Sequence, residues 1–167
     1  MCSSDLTGWP DTIGRLNRLL TPITDAFVGV ATQHGDYLIN VEKFPARQVC
    51  VIPNGVDVTR FHNRPGWRRE SRETLGLNPD ALVVGIVAAL RAEKNHALFL
   101  RAAARLREEM SDAQFLIVGD GPEREEIERT VKELRLSDCV KLSGSRTDIP
   151  KVLASLDVFA LTSHIEA

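Results

Sequence analysis

Apolar and polar positions fall into a regular rhythm along the second half of the chain. ALVVGIVA, from Ala81 to Ala88, is an uninterrupted apolar run suited to a central parallel strand. After it, Phe99, Ala102, Ala103, Leu106 and Met110 recur at helical spacing, with Asn95 placed to cap that helix. QFLIVG predicts the next strand, and Pro122 suits the first position of another helix. In EREEIERTVKEL the acids lead and a lysine trails, as the helix dipole prefers, so this charge run reads as a solvated face. CVKLSG predicts a third strand, DIPKVLASL a short helix capped by Asp148, and DVFALTS a fourth strand. Strands alternating with helices imply an α/β fold built on a parallel, doubly wound sheet.

The first half is less regular. Thr12 to Leu20 is a short basic amphipathic stretch, read as a packed or linker helix in preference to a membrane-surface one. DAFVGVA, Asp25 to Ala31, predicts a buried strand; HGDYLINVEKF predicts a helix; QVCVIP predicts a second strand, ended by the turn chemistry of NGVD. Thr59 to Arg72 is polar, arginine-rich and broken by Pro65 and Gly66, which places a linker or domain boundary there.

Composition narrows the function classes. The chain has 167 residues and a formal charge of -2, enough for a real core and without the basic field that nucleic acid would need. No apolar run approaches the roughly 20 residues of a spanning helix, and MCSSDLTGWP lacks a signal peptide's apolar core. Cys2, Cys50 and Cys139 are odd in number and far apart, as expected of reduced thiols in a cytoplasmic protein. Residues 1–6 match the translation of a common sequencing-adapter string, and the chain stops straight after LTSHIEA. A truncated reading frame is the expectation.

Ligands of such sheets bind beyond the carboxyl ends of the strands. Arg91, Lys94 and Asn95 follow the first strand of the regular region, Gly119 and Gly121 the second, Gly144, Ser145 and Arg146 the third, Ser163 and Glu166 the fourth. Lysine is unfavourable at a helix entry unless an anion is due there, and a phosphate suits this rim of cations, glycines and helix N-termini. Gly119 and Gly121 also begin a dinucleotide fingerprint, but Arg124 stands in its third place, and that reading is set aside. His34, His62, His96 and His164 show no metal-ligand spacing, so no metal site is expected. No nucleophile elbow and no P-loop are present in the sequence.

VIPNGVD, ALRAEKNHALFLRAAARL, FLIVGDGPER, VKLSGSRTDIPKVLASLDVFALTS and the final glutamate, in that order, resemble family 4 retaining glycosyltransferases of GT-B fold. The resemblance covers about Thr24 to Ala167. It implies two Rossmann-like domains: residues 1–58 would end the acceptor domain with its linker, and residues 59–167 would begin the nucleotide-sugar domain. Lys94 then corresponds to the lysine on the donor diphosphate. The family's arginine five residues earlier is Ala89 here, and Arg91 is the candidate substitute. Glu166 matches the first glutamate of the E-x7-E motif, on the donor sugar's hydroxyls. Asn95, Gly119, Gly121 and the Gly144–Ser145–Arg146 segment would line the nucleotide.

The implied reaction is hexose transfer from a UDP- or GDP-sugar to a hydroxyl of a saccharide or lipid-linked acceptor, with retention and without a further cofactor. Contact with the inner face of the cytoplasmic membrane is implied for such acceptors, and the chain alone is expected to be inactive. A GT-B-type sugar-nucleotide epimerase and a non-catalytic nucleotide-binding module remain the alternatives.

Overall fold

A computed structural model of the chain describes residues 17–62 and 64–164, in two compact units that divide between Asp57 and Val58. Most of the stretch Thr12 to Leu20 lies outside the described residues, although 17–20 are helical.

In the first unit, strand β1 (Phe27–Gly29), helix α1 (Thr32–Asn40) and strand β2 (Val49–Val51) form a βαβ unit with parallel pairing from Phe27↔Val49 to Gly29↔Val51. The rings of Phe27 and Phe44 stack with centroids 3.9 Å apart. The expected buried strand is only partly buried, because a two-stranded sheet covered by one helix leaves a face open: Val28 is 50% exposed.

The second unit carries the regular region. Helix α2 (Trp67–Leu75) precedes strand β3 (Val83–Val87), followed by α3 (His96–Glu109), β4 (Gln114–Val118), α4 (Arg124–Glu133), β5 (Val140–Leu142), α5 (Ile149–Ser155) and β6 (Val158–Phe159). All pairings are parallel, in the spatial order β5-β4-β3-β6. This is the predicted doubly wound sheet, and its strand order reverses between β3 and β6.

Alternation along β4 builds both cores. Phe115 and Ile117 join Phe99 of α3 and Ile127 of α4 on one face, while Leu116 and Val118 join Val83, Leu77 and Val152 of α5 on the other. A β strand buried on both sides reads as continuous apolar sequence, and QFLIV is such a run.

Three local expectations change. The buried face of α3 is His96, Phe99, Leu100 and Ala103, while Ala102 and Met110 are exposed. Helical rotation favours the i, i+3, i+4, i+7 set over the drifting register chosen from sequence. Pro122 lies two residues before the first helical residue of α4, because Gly121–Glu123 close as a turn.

The largest difference is at Thr59 to Arg72. Its second half is helix α2, bounded by Gly66 and Gly76, both left-handed. Arg72 lies on this helix with 1% of its surface exposed. Its Nε donates to the Ser155 carbonyl at 2.9 Å, Nη1 to the carbonyls of Pro79 (2.6 Å) and Ala81 (2.9 Å), and Nη2 to Asp157 Oδ2 at 2.7 Å. Asp157 also accepts from Arg68 Nη2 at 2.6 Å and from the Val83 N–H at 2.8 Å. An arginine-rich stretch reads as solvated until its acceptors, which are distant in sequence, are known.

Losing the Arg72 guanidinium would strip the carbonyls of Ser155, Pro79 and Ala81 of their donor, at about 1–3 kcal/mol per unsatisfied buried group, although Asp157 would keep its pair with Arg68. Arg72→Leu should therefore lower the thermal midpoint of the full-length protein steeply. Arg69→Leu, which loses only the exposed pair with Glu73, should stay within about 0.5 kcal/mol of the unmodified protein.

Burial alone would raise the Asp157 carboxyl, but the Val83 N–H and the guanidinium groups of Arg68 and Arg72 outweigh it and hold it below the ordinary carboxylate range. The folded-state value thus lies below the unfolded value of about 3.9. The stabilisation is present above that value and is lost as pH falls through the lower, folded one. Stability measured against pH should show this acid-side loss, and Asp157→Asn should flatten that part of the slope.

Candidate nucleotide-sugar site

The site residues fall at the carboxyl edge of the second unit's sheet, joined by backbone hydrogen bonds from loop to loop. After β3, the Ala88 N–H donates to Val118 at 3.0 Å and the Leu90 N–H to Asp120 at 3.0 Å. The Glu123 N–H returns to the Leu90 carbonyl at 3.0 Å, and the Gly119 N–H donates to Gly144 at 2.9 Å. The structure therefore brings the loops carrying Arg91, Lys94, Asn95, Gly119, Gly121 and Gly144 to one rim.

Lys94 closes a 3-10 turn, Ala92–Lys94, and is half-buried. Arg91 opens the same turn and is exposed. Asn95 bends the chain from that turn into α3 with φ 49° and ψ 52°, a left-handed conformation that asparagine tolerates better than most residues. Its side-chain Oδ1 accepts from the Leu98 N–H at 3.2 Å, so the capping read from sequence is present. The turn thus places a cation at the positive end of a 14-residue helix, an arrangement that attracts an anion.

Gly119 and Gly121 are required by loop packing. A Cβ on Gly119, where φ is 145°, would stand 1.9 Å from the Ala88 carbonyl oxygen, and one on Gly121 would stand 2.5 Å from that of Leu90. Their N–H groups are engaged by Gly144 and by the Asp120 side chain at 2.8 Å. They shape the rim from behind, with their donors turned to the protein.

Ser145 is exposed, and Arg146 is half-buried beside it. Arg146 binds Asp148 through two bonds, Nε to Oδ1 at 2.8 Å and Nη2 to Oδ2 at 2.7 Å. The guanidinium holds the Asp148 carboxyl below its usual range. Asp148 was expected to cap α5; it occupies the N-cap position, but its side chain makes no capping bond, because the two-point arginine clasp takes both oxygens. Arg146 also lines a cavity of about 160 Å³ between α2 and α5, away from Lys94. Glu166 lies outside the described residues.

Two residues of the rim went unrecognised. His96, the first residue of α3, is 3% exposed, and neither ring nitrogen has a hydrogen-bond partner. Burial pushes its pKa below the ordinary value, against the pull of the Glu123 carboxylate. Thr162 donates its hydroxyl to the carbonyls of Lys94 (3.2 Å) and Asn95 (3.0 Å). No motif flags a hydroxyl bound to backbone. Only the apolar-face pattern, read with His96 included, could have exposed the histidine.

A parallel sheet with a reversal in strand order and loops converging at its carboxyl edge defines a doubly wound α/β domain, a class whose ligands bind at that edge. Residues 68–167 match the family described as glycosyl transferases group 1, and the chain belongs to that family. EpsF of Bacillus subtilis is 29% identical over 160 residues, which cover 95% of this chain and 42% of that protein. A UDP-Gal:alpha-D-GlcNAc-diphosphoundecaprenol alpha-1,3-galactosyltransferase of Escherichia coli is 34% identical over 119 residues, 70% of this chain and 31% of its own length. The crystal structure of Anabaena HepE in complex with UDP and glucose superposes with a TM-score of 0.82 at 24% identity, over 95% of this chain and 44% of that one. The fold is that of GT-B glycosyltransferases, and the chain spans about two-fifths or less of the length of these proteins. The epimerase alternative finds no support in these matches.

Gly119→Ala tests the packing account. The added methyl meets fixed backbone, so a loss of about 3 kcal/mol or more is expected, against about 0.5 kcal/mol or less for exposed Ser145→Ala. Thermal melts of the two variants in the full-length protein give the comparison.

Proposed function

We propose that the full-length protein transfers a hexose from a UDP- or GDP-sugar to a hydroxyl of a saccharide or lipid-linked acceptor, retaining anomeric configuration, as family 4 enzymes do. The observation that carries this reading is Lys94 at the entry of α3, on the carboxyl rim where the strand order reverses. The diphosphate gains negative charge as the glycosidic bond breaks. A fixed ammonium group and a helix N-terminus stabilise that charge without reorganising. Family membership and the UDP-bound HepE fold support a nucleoside diphosphate as the leaving group. The galactosyltransferase among the relatives supports a lipid-linked saccharide as one class of acceptor.

In this reading Arg91 is the second cation on the diphosphate and Glu166 holds the donor sugar's hydroxyls. The backbone of Gly144 to Arg146 lies along the base, and Asn95, Gly119 and Gly121 shape the phosphate side. No cofactor beyond the donor is assigned. The protein works at the cytoplasmic side, at or near the membrane that carries its acceptor. The 167-residue chain alone, without the remainder of a two-domain enzyme, does not turn over.

The test is release of nucleoside diphosphate from UDP- and GDP-sugars by the full-length protein, with and without saccharide or lipid-linked acceptors. Acceptor-dependent release is expected, and none from the isolated chain. Lys94→Ala should lower kcat/KM by roughly 10²–10³, the effect of removing one preorganised donor from developing charge, with little change in thermal midpoint. Equal losses of stability and activity would make Lys94 a structural residue. Arg91→Ala with unchanged activity would remove Arg91 from the site.

A further inference from the structure

The rim has two lips at the point where strand order reverses: the Glu93–Asn95 turn after β3, and the segment that leaves β6. The sheet ends its regular pairing between them with the Ala160 N–H on the Gly85 carbonyl at 2.9 Å. Beyond that, hydrogen bonds from Thr162 and His164 join the lips. Thr162 Oγ1 lies 3.2 Å from the Lys94 carbonyl and 3.0 Å from that of Asn95, and the His164 N–H donates to the Glu93 carbonyl at 2.9 Å. A hydroxyl has one proton, so Thr162 shares it between the carbonyl that follows Asn95 and the carbonyl of the Lys94–Asn95 peptide.

That peptide is where the chain changes course. Asn95 sits in the left-handed region, a conformation that needs support from its surroundings. Its support is local on one side, through its cap on Leu98, and comes from Thr162 on the other. The Thr162 hydroxyl ties the lysine-bearing turn to the β6 side of the crevice.

We infer that Thr162 is a positioning residue for the transfer: its hydroxyl fixes the Lys94 turn against the segment that leaves β6, and so sets where the Lys94 ammonium stands relative to the donor diphosphate. This rests on the transfer reading above. The hydroxyl touches backbone and not substrate, so its loss acts through geometry. A displacement of about 1 Å at a reacting group can lower a rate about 100-fold, whereas the half-buried carbonyls it leaves can turn to water.

The experiment compares Thr162→Val and Thr162→Ser in the full-length protein, by donor KM, kcat and thermal midpoint. Valine keeps the shape and removes the hydroxyl; serine keeps the hydroxyl and removes the methyl. The expected result is a kcat lowered about 10- to 100-fold in the valine variant. Donor KM and thermal midpoint should stay close to those of the unmodified protein, and the serine variant should retain activity within about twofold. Unchanged kcat in the valine variant overturns the inference. So does equal damage from serine, which would assign the effect to methyl packing, or a fall in midpoint that parallels the fall in kcat. An unmodified protein that releases no nucleoside diphosphate from any sugar nucleotide overturns the transfer reading itself, a result distinct from an active protein indifferent to Thr162→Val.

Discussion

The guanidinium of Arg72 ties together the end of the sheet opposite the candidate site. It reaches from α2 to the residue that ends α5, to the loop entering β3 and to the aspartate entering β6. These segments are distant in sequence, and each would otherwise present carbonyls to a buried space. One planar group satisfies them because arginine carries five N–H donors in a fixed fork. Asp157 completes the arrangement by accepting from the Val83 N–H, which sets β3 and β6 side by side at their starts. The reversal of strand order places the crevice at the far ends of β3 and β6, opposite these pinned near ends.

The carboxyl edge is held by a different device. There the connections are backbone to backbone, from Leu90 to Asp120, Glu123 to Leu90 and Gly119 to Gly144, with glycine where a side chain would collide. A rim built in this way is stiff and carries few side chains of its own. The side chains that the turn at the mouth carries are those of Arg91 and Lys94, beside the start of α3. Donors already bonded within the protein, such as the Gly119 N–H, contribute to shape and not to recognition.

How much of this was legible follows from the range of each interaction. Strands β3, β4 and β5 and helices α3, α4 and α5 were read from apolar runs and helical spacing, because burial on two faces of a sheet writes itself into consecutive residues. Asn95 was legible as a cap for the same reason, since its partner is three residues away. The place of Lys94 at the entry of α3 was legible because the apolar strand and the helical pattern on either side of it were. Arg72, Asp148 and Thr162 were misread or passed over. Arg72 bonds to Asp157 across 85 positions and Thr162 to Lys94 across 68, distances at which a sequence pattern carries no signal. Asp148 was assigned the commoner of two local roles, and a clasp from Arg146 two residues away took its place.

His96 shows where the two kinds of constraint meet. It begins α3 directly after the lysine turn, and its ring is enclosed with neither nitrogen bonded. A charged imidazole in that position would lose its hydration, and this loss outweighs the pull of the Glu123 carboxylate, so burial favours the neutral ring. The positive charge of the turn therefore resides on Arg91 and Lys94, at the surface end, and not beneath them. Arg91 is exposed and Lys94 half-buried, while His96, two residues on, is enclosed. Charge at the rim and neutral volume under it are complementary requirements, and they occupy the consecutive positions Lys94, Asn95 and His96.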